Sequence, residues 1–131
     1  MVPLATALLL LQAKPKVHRV VVEVAVPGSA AHGLILGNVA NLRKALAPER
    51  TEVEVVCHGS GIGMLLAKGS VGRRVASLAQ SGVEFVVCAN TMRGRHIARA
   101  ALPAFVRVVP SGVGEVVRRQ EAGWTYLKGG F

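Results

Sequence analysis

The chain is predicted to fold as an α/β domain, a three-layer α/β/α sandwich around a five-stranded, mainly parallel sheet. Three observations predict it. Short strand-like runs, most of them valine-rich, alternate with helical patterns five times, with short loops and no internal repeat. Hydrophobic residues make up 51% but aromatics only 4%, so Val, Leu, Ala and Ile must fill the core. That valine excess favours strands buried between helices. A chain of 131 residues suffices for one such layered core. The domain is placed at residues 17–131, behind an apolar segment at 1–16.

The first strand is expected from Val17 to Val26, where Val20, Val21, Val22, Val24 and Val26 accompany Glu23, and Pro27-Gly28-Ser29 breaks it. A helix from His32 to Ala47 follows from Ile35, Val39, Leu42 and Leu46, which recur at helical spacing until Pro48. Thr51 to Cys57 is the second strand. His58-Gly59-Ser60-Gly61-Ile62-Gly63 is a glycine-rich turn, and Val71 to Gln80 a helix closed by Gly82. Val83 to Cys88, apolar almost throughout, is a third strand buried on both faces. A polar, arginine-rich loop is expected at Asn90 to Arg95, then a short helical piece from His96 to Leu102. Phe105 to Val109 is the fourth strand, and Pro110-Ser111-Gly112 ends it. Val113, Val116, Val117 and Gln120 mark a last helix, with Glu115 in its first turn, and Trp124 to Leu127 the fifth strand.

The amino terminus carries Ala5-Thr6-Ala7-Leu8-Leu9-Leu10-Leu11. That run is too short to span a bilayer as a helix, so no transmembrane span is expected. It has the look of a signal-peptide core, yet no Lys or Arg precedes it and Leu11-Gln12-Ala13 is a poor cleavage site. Two readings stand: a packing extension of a cytoplasmic protein, or a leader for export to the periplasm.

Sixteen Lys and Arg against seven Asp and Glu give a formal charge of +9. Such a chain attracts anions of every kind, from small oxyanions to nucleic acid. No zinc finger and no RNA-recognition signature with stacking aromatics is present, so no specific nucleic-acid partner is expected. The chain has no aspartate, which counts against magnesium-dependent phosphoryl transfer and most hydrolytic metal sites. No metal and no cofactor is expected. The Gly59, Gly61, Gly63 run departs from a dinucleotide fingerprint, since Met64 stands where the third glycine belongs. Its amides remain a candidate cradle for a small anion.

Cys88 is the leading candidate for chemistry, because ligands of open α/β sheets bind at the carboxyl ends of strands. Arg93, Arg95, His96 and Arg99 follow it closely, and nearby cations or a helix start lower a thiol's pKa. The competing reading is a cysteine packed as a small hydrophobe. If the strands run in the flavodoxin-like order 2-1-3-4-5, Cys57 and Cys88 stand about 10 Å apart, beyond the roughly 7 Å a disulfide allows. Cys57 then reads as core, and His58 as a proton carrier or anion contact on the same edge.

Glu52-Val53-Glu54-Val55-Val56 followed by His58-Gly59, then Gly82-Val83-Glu84-Phe85-Val86-Val87-Cys88-Ala89-Asn90-Thr91, resembles the DsrE/DsrF-like family, in its small single-domain branch. Val108 to Val113 and Gln120 to Tyr126 fit the same pattern, so the resemblance runs from about Val17 to Lys128. It implies a parallel α/β sandwich that forms homo-oligomers. It further implies a sulfur-carrier or sulfurtransferase-like role, with sulfane sulfur held as a persulfide on Cys88. His58, Gly59, Asn90, Thr91, Arg93 and Arg95 would shape the pocket, and a sulfur donor or acceptor protein, a small sulfur oxyanion or a polysulfide would be the partner. The chain lacks the longer cysteine-bearing loop of the sulfur-relay members. The alternative is a non-catalytic homo-oligomeric module that binds a small anion or nucleotide at the same edge.

Overall fold

A computed structural model describes residues 15–130. The apolar run at the amino terminus, with its two readings, lies outside the described residues. Strand β1 (Val17–Val24) lies between β2 (Arg50–Cys57) and β5 (Thr125–Gly129). Beyond β2 come β3 (Glu84–Cys88) and then β4 (Arg107–Val109). Every pairing is parallel, so the sheet is five-stranded and wholly parallel in the order β4-β3-β2-β1-β5.

The expected order 2-1-3-4-5 is therefore corrected: β3 pairs with β2, and β5 takes the far side of β1. Strand crossovers are right-handed, so the direction of travel decides which face each connection covers. From β1 to β4 the chain steps one way across the sheet. Helix α1 (Ser29–Leu46), a 3-10 segment (Gly59–Leu65), helix α2 (Gly72–Gln80) and the link through Leu102 and Val106 thus share one face. The return from β4 to β5 travels the other way and lays α4 (Gly112–Glu121) on the opposite face, while the short α3 (Ala89–Gly94) stands at the end of β3.

Because strand side chains alternate between faces, each strand feeds both cores. Val20, Val22, Val24, Val53, Val55, Cys57, Phe85 and Val87 pack with Ile35, Leu36 and Val39 of α1 and Val75 of α2. Val21, Val56, Val86 and Val109 pack with Val116 of α4. The second face is also charged. Glu54, fully buried, receives Arg119 Nε at 2.6 Å and Arg107 Nη2 at 3.5 Å on its Oε2. Glu115 of α4 bridges the same two arginines, at 3.0 and 3.1 Å.

Strand and helix boundaries shift by a few residues from expectation. Helix α1 starts at Ser29 rather than His32 and buries His32, whose Nε2 donates to the Val26 carbonyl at 2.7 Å. The glycine-rich turn is the 3-10 segment Gly59–Leu65, the helical piece expected from His96 to Leu102 is a 3-10 turn at Arg99–Ala101, and one loop becomes an α-helix. The expected loop at Asn90 to Arg95 is helix α3 and begins directly after Cys88, because Ala89 to Arg93 contains no Gly or Pro to stop it. Among the described residues, no helix is long and apolar enough to cross a membrane.

Candidate functional site

Cys88 closes β3 and is the residue from which α3 springs. The link after β3 folds onto the first face, whereas the link after β4 opens α4 on the second. Neighbouring strands whose continuations part to opposite faces form the crevice where open α/β sheets take ligands. Cys88 stands at that crevice, on the face that α4 covers. Cys57 pairs in register with Val87 and points with it to the first face, so Cys88 points to the second. Both cysteines are free and buried. The disulfide is absent because the two side chains leave opposite faces, and the distance derived from the wrong strand order plays no part.

The two thiols have opposite surroundings. Cys57 is sealed in the first core, 3.9 Å from Met64 Sδ, and burial pushes its thiol far above the ordinary range. Cys88 is 5% exposed, and burial pushes its thiol upward too. There the Gly112 N–H, the Thr91 hydroxyl and N–H and the Asn90 N–H all favour the thiolate, and together they bring its pKa below the usual thiol value. The first turn of α3 has no side-chain cap. An ionised sulfur supplies a much better acceptor for the same donors.

Two glycines build this nest. Gly112 begins α4 directly over the site. A Cβ placed on it would lie 2.9 Å from the His58 Cβ and 3.1 Å from the Cys88 Cβ, so only glycine lets the α4 backbone come this close. Gly59, at φ +53°, donates its N–H to Thr91 Oγ1 at 2.8 Å. Its amide is committed to Thr91 rather than open to a ligand, and Thr91 turns its own hydroxyl proton to Cys88. Thr91→Val is expected to leave the Gly59 N–H unpaired, costing about 1–2 kcal/mol in a denaturant melt. It should also raise the Cys88 pKa in a titration of thiolate ultraviolet absorbance.

His58 follows Cys57 directly, as Cys88 follows its register partner Val87, so the two stand side by side at the strand ends. His58 Nε2 lies 2.8 Å from Glu23 Oε2, and the Tyr126 hydroxyl donates to Glu23 Oε1 at 2.6 Å. Burial raises the Glu23 pKa, but the bonds to Tyr126 and His58 outweigh it and hold the carboxyl below its ordinary value. Neither Glu23 nor Tyr126 was singled out from sequence. Glu23 ends a valine run and Tyr126 lies 103 residues away, so only the β1–β5 register brings them together.

The arginines expected around the thiol are placed differently. Arg93 is exposed and donates to Asn90 Oδ1. Arg95 is exposed and reaches Ser60 Oγ at 3.1 Å. The groups that favour the thiolate are backbone amides and one hydroxyl. Arg93 instead joins Met92, His96, Ile97 and Val108 around an open hollow of about 540 Å³ beside α3.

A wholly parallel α/β sandwich with a buried cysteine, set among donors that favour its thiolate, at a strand-end crevice defines a small single-domain α/β protein. The chain belongs to the DsrE/DsrF-like family, whose sequence profile matches residues 18–128. It is also similar to a protein of unknown function, MTH1491, from Methanobacterium thermoautotrophicum. The two share 34% sequence identity with a TM-score of 0.81, over 85% of this chain and 98% of that one. No curated protein matches the chain.

Proposed function

We propose that the chain is a sulfur carrier, accepting sulfane sulfur as a persulfide on Cys88. The observation that carries this reading is the set of donors that favour a Cys88 thiolate in spite of burial, while burial alone governs Cys57. The thiolate is the form that attacks sulfur. With thiosulfate, the Cys88 sulfur bonds to the outer sulfur as the S–S bond to the sulfonate sulfur breaks, and sulfite leaves with the electron pair. With a persulfide donor the departing group is a thiolate, which then takes up a proton. Either way one sulfur atom moves, and Cys88 ends as a persulfide anion that the same donors stabilise.

In this reading Gly59 holds Thr91, and Thr91 and Asn90 present donors to the sulfur. His58 stands beside it, and Arg93 and Arg95 draw anionic donors towards the rim. The chain acts as a homo-oligomer that exchanges sulfur with a donor or acceptor protein. The exposed Val113 and Val117 on α4, one helical turn apart, give such an assembly an apolar contact. Two free cysteines suit a reducing cytoplasm.

The test is intact-protein mass after exposure to thiosulfate or polysulfide. One added sulfur atom is expected on the wild type and on Cys57→Ser, and none on Cys88→Ser. Absence of added sulfur on the wild type would overturn the carrier reading and leave a binding module at the same edge.

A further inference from the structure

We infer that Glu23 and Tyr126 are positioning residues that set His58 as the proton carrier for exchange at Cys88, with Nδ1 as its working nitrogen. The inference deepens the sulfur-carrier reading and rests on it for its substrate. Glu23, Tyr126 and His58 lie on the face of the sheet that Cys88 uses, an otherwise valine-lined face at this level. Polar groups half-buried there cost stability unless each finds a partner. Here each does, in one chain from Tyr126 through Glu23 to His58.

The direction of the bonds follows from the carboxyl. Glu23 is held below its ordinary pKa and is therefore a carboxylate, which only accepts. The Tyr126 O–H and the His58 Nε2–H must then donate, one to each oxygen. The Tyr126 pKa is pushed up to about 12 by its bond to Glu23, so the hydroxyl keeps its proton and its place at any ordinary pH. With Nε2 committed to Glu23, Nδ1 is the ring nitrogen left to accept or release a proton. It is the nitrogen nearer the Cβ, and the His58 Cβ and the Cys88 Cβ both border the spot that a side chain on Gly112 would occupy. The charged and titratable groups around the ring are Glu23 on β1, Tyr126 and Lys128 on β5 and Cys88 on β3. From α4 the packing group is the uncharged Gly112 backbone.

This arrangement matters for one class of donor. When Cys88 takes the terminal sulfur of an alkyl persulfide, the new S–S bond forms as the old one breaks, and the electron pair leaves on a basic alkyl thiolate. Protonated Nδ1 gives that thiolate its proton, which yields a neutral thiol and neutral His58. On discharge to an acceptor thiol, Nδ1 takes the acceptor's proton back. Sulfite leaving thiosulfate needs no such proton.

The experiment measures loading rates of full-length protein at neutral pH with an alkyl persulfide and with thiosulfate. His58→Asn is expected to slow the alkyl persulfide about 100-fold. Tyr126→Phe and Glu23→Gln should slow it about tenfold, the loss of one hydrogen bond to a charged group. Thiosulfate rates should change little in all three. Equal slowing with both donors would mean a purely structural role and would overturn the inference. If the wild type takes sulfur from neither donor, the carrier reading falls, and the same split is read in thiol–disulfide exchange. There Cys88 is exchanged with a dialkyl disulfide and with a nitrobenzoate disulfide, whose leaving thiolate is weakly basic. Selective slowing of the dialkyl reagent upholds the relay, and equal slowing removes it.

Discussion

Gly112→Ala is expected to raise the pKa of Cys88 by about one unit and to slow its reaction at neutral pH by about tenfold, one unit being 1.36 kcal/mol. The added methyl would sit 2.9 Å from the His58 Cβ and 3.1 Å from the Cys88 Cβ, both anchored to strand backbone. Neither neighbour can swing aside as the tip of a long side chain would. The start of α4 must back away instead, and its N–H is the first of the donors that favour the thiolate. Hydrogen bonds to charged groups weigh about 1.5–3 kcal/mol, so weakening one by a few tenths of an ångström accounts for the predicted shift. Overpacking should also cost about 1–3 kcal/mol of stability. The control is Gly114→Ala in the same turn, where a methyl meets only Ser111, at 3.2 Å. Thiolate absorbance titrated in a Cys57→Ser background reads both. An unchanged Cys88 in Gly112→Ala, or equal shifts in both variants, would remove the α4 amide from the account.

How much of this was legible in the sequence depends on the range of the interaction. The valine runs give the three central strands, since burial on two faces writes itself into each short segment. The half-exposed edge strands β4 and β5 are placed by their β-formers between Pro and Gly breaks. Cys88 is equally local: it ends its strand, and strand ends are where such sheets place chemistry. The order of strands is not local. Five strands joined by short links admit several right-handed arrangements, and 2-1-3-4-5 is as consistent with the link lengths as the observed order. From that one ambiguity come the other misses. Without β3 beside β2, His58 and Cys88 are not seen as neighbours. Without β5 beside β1, Tyr126 has no reason to meet Glu23. Helix α3 was hidden for a different reason. Asn90, Thr91 and Arg93 have loop-like polarity, but polarity marks exposure rather than backbone shape, and nothing there breaks a helix before Gly94. The alternation Glu52-Val53-Glu54-Val55 looks like a strand with one wet face. In fact α4 returns over that face and buries Glu54 completely.

That buried carboxyl sets the second large effect. Burial first, then its shared hydrogen bond with Glu115, raises the Glu54 pKa to about 8, against the pull of Arg119. Oε1 is buried with no hydrogen-bond partner, which costs a neutral carboxyl far less than a carboxylate. The folded chain thus keeps a proton that the unfolded chain releases near 4.5. Between those values the native state binds more protons, and stability falls as pH rises through the window to about 8. Glu115, held low mainly by Glu54 and Arg107 against its burial, acts in the other sense and loses its contribution on acidification. Glu54→Gln keeps an N–H donor for Glu115 and has nothing to ionise. It should flatten the decline and leave the protein about 1–3 kcal/mol more stable than wild type at pH 9, measured by denaturant unfolding. A loss of about 3–5 kcal/mol at neutral pH would instead mean a charged Glu54 paired with Arg119. The consequence reaches the thiol, because α4 carries Gly112 at its start, Glu115 in its first turn and Arg119 in its last. Arg119 further stacks on Trp124 at 4.6 Å, so this helix is held to the sheet by its charged layer as well as by Val116. Ionising Glu54 sets a second carboxylate against Glu115 on the same helix whose first amide faces Cys88. In wild type the Cys88 titration should therefore broaden on its alkaline side, and in Glu54→Gln it should return to a single sharp step.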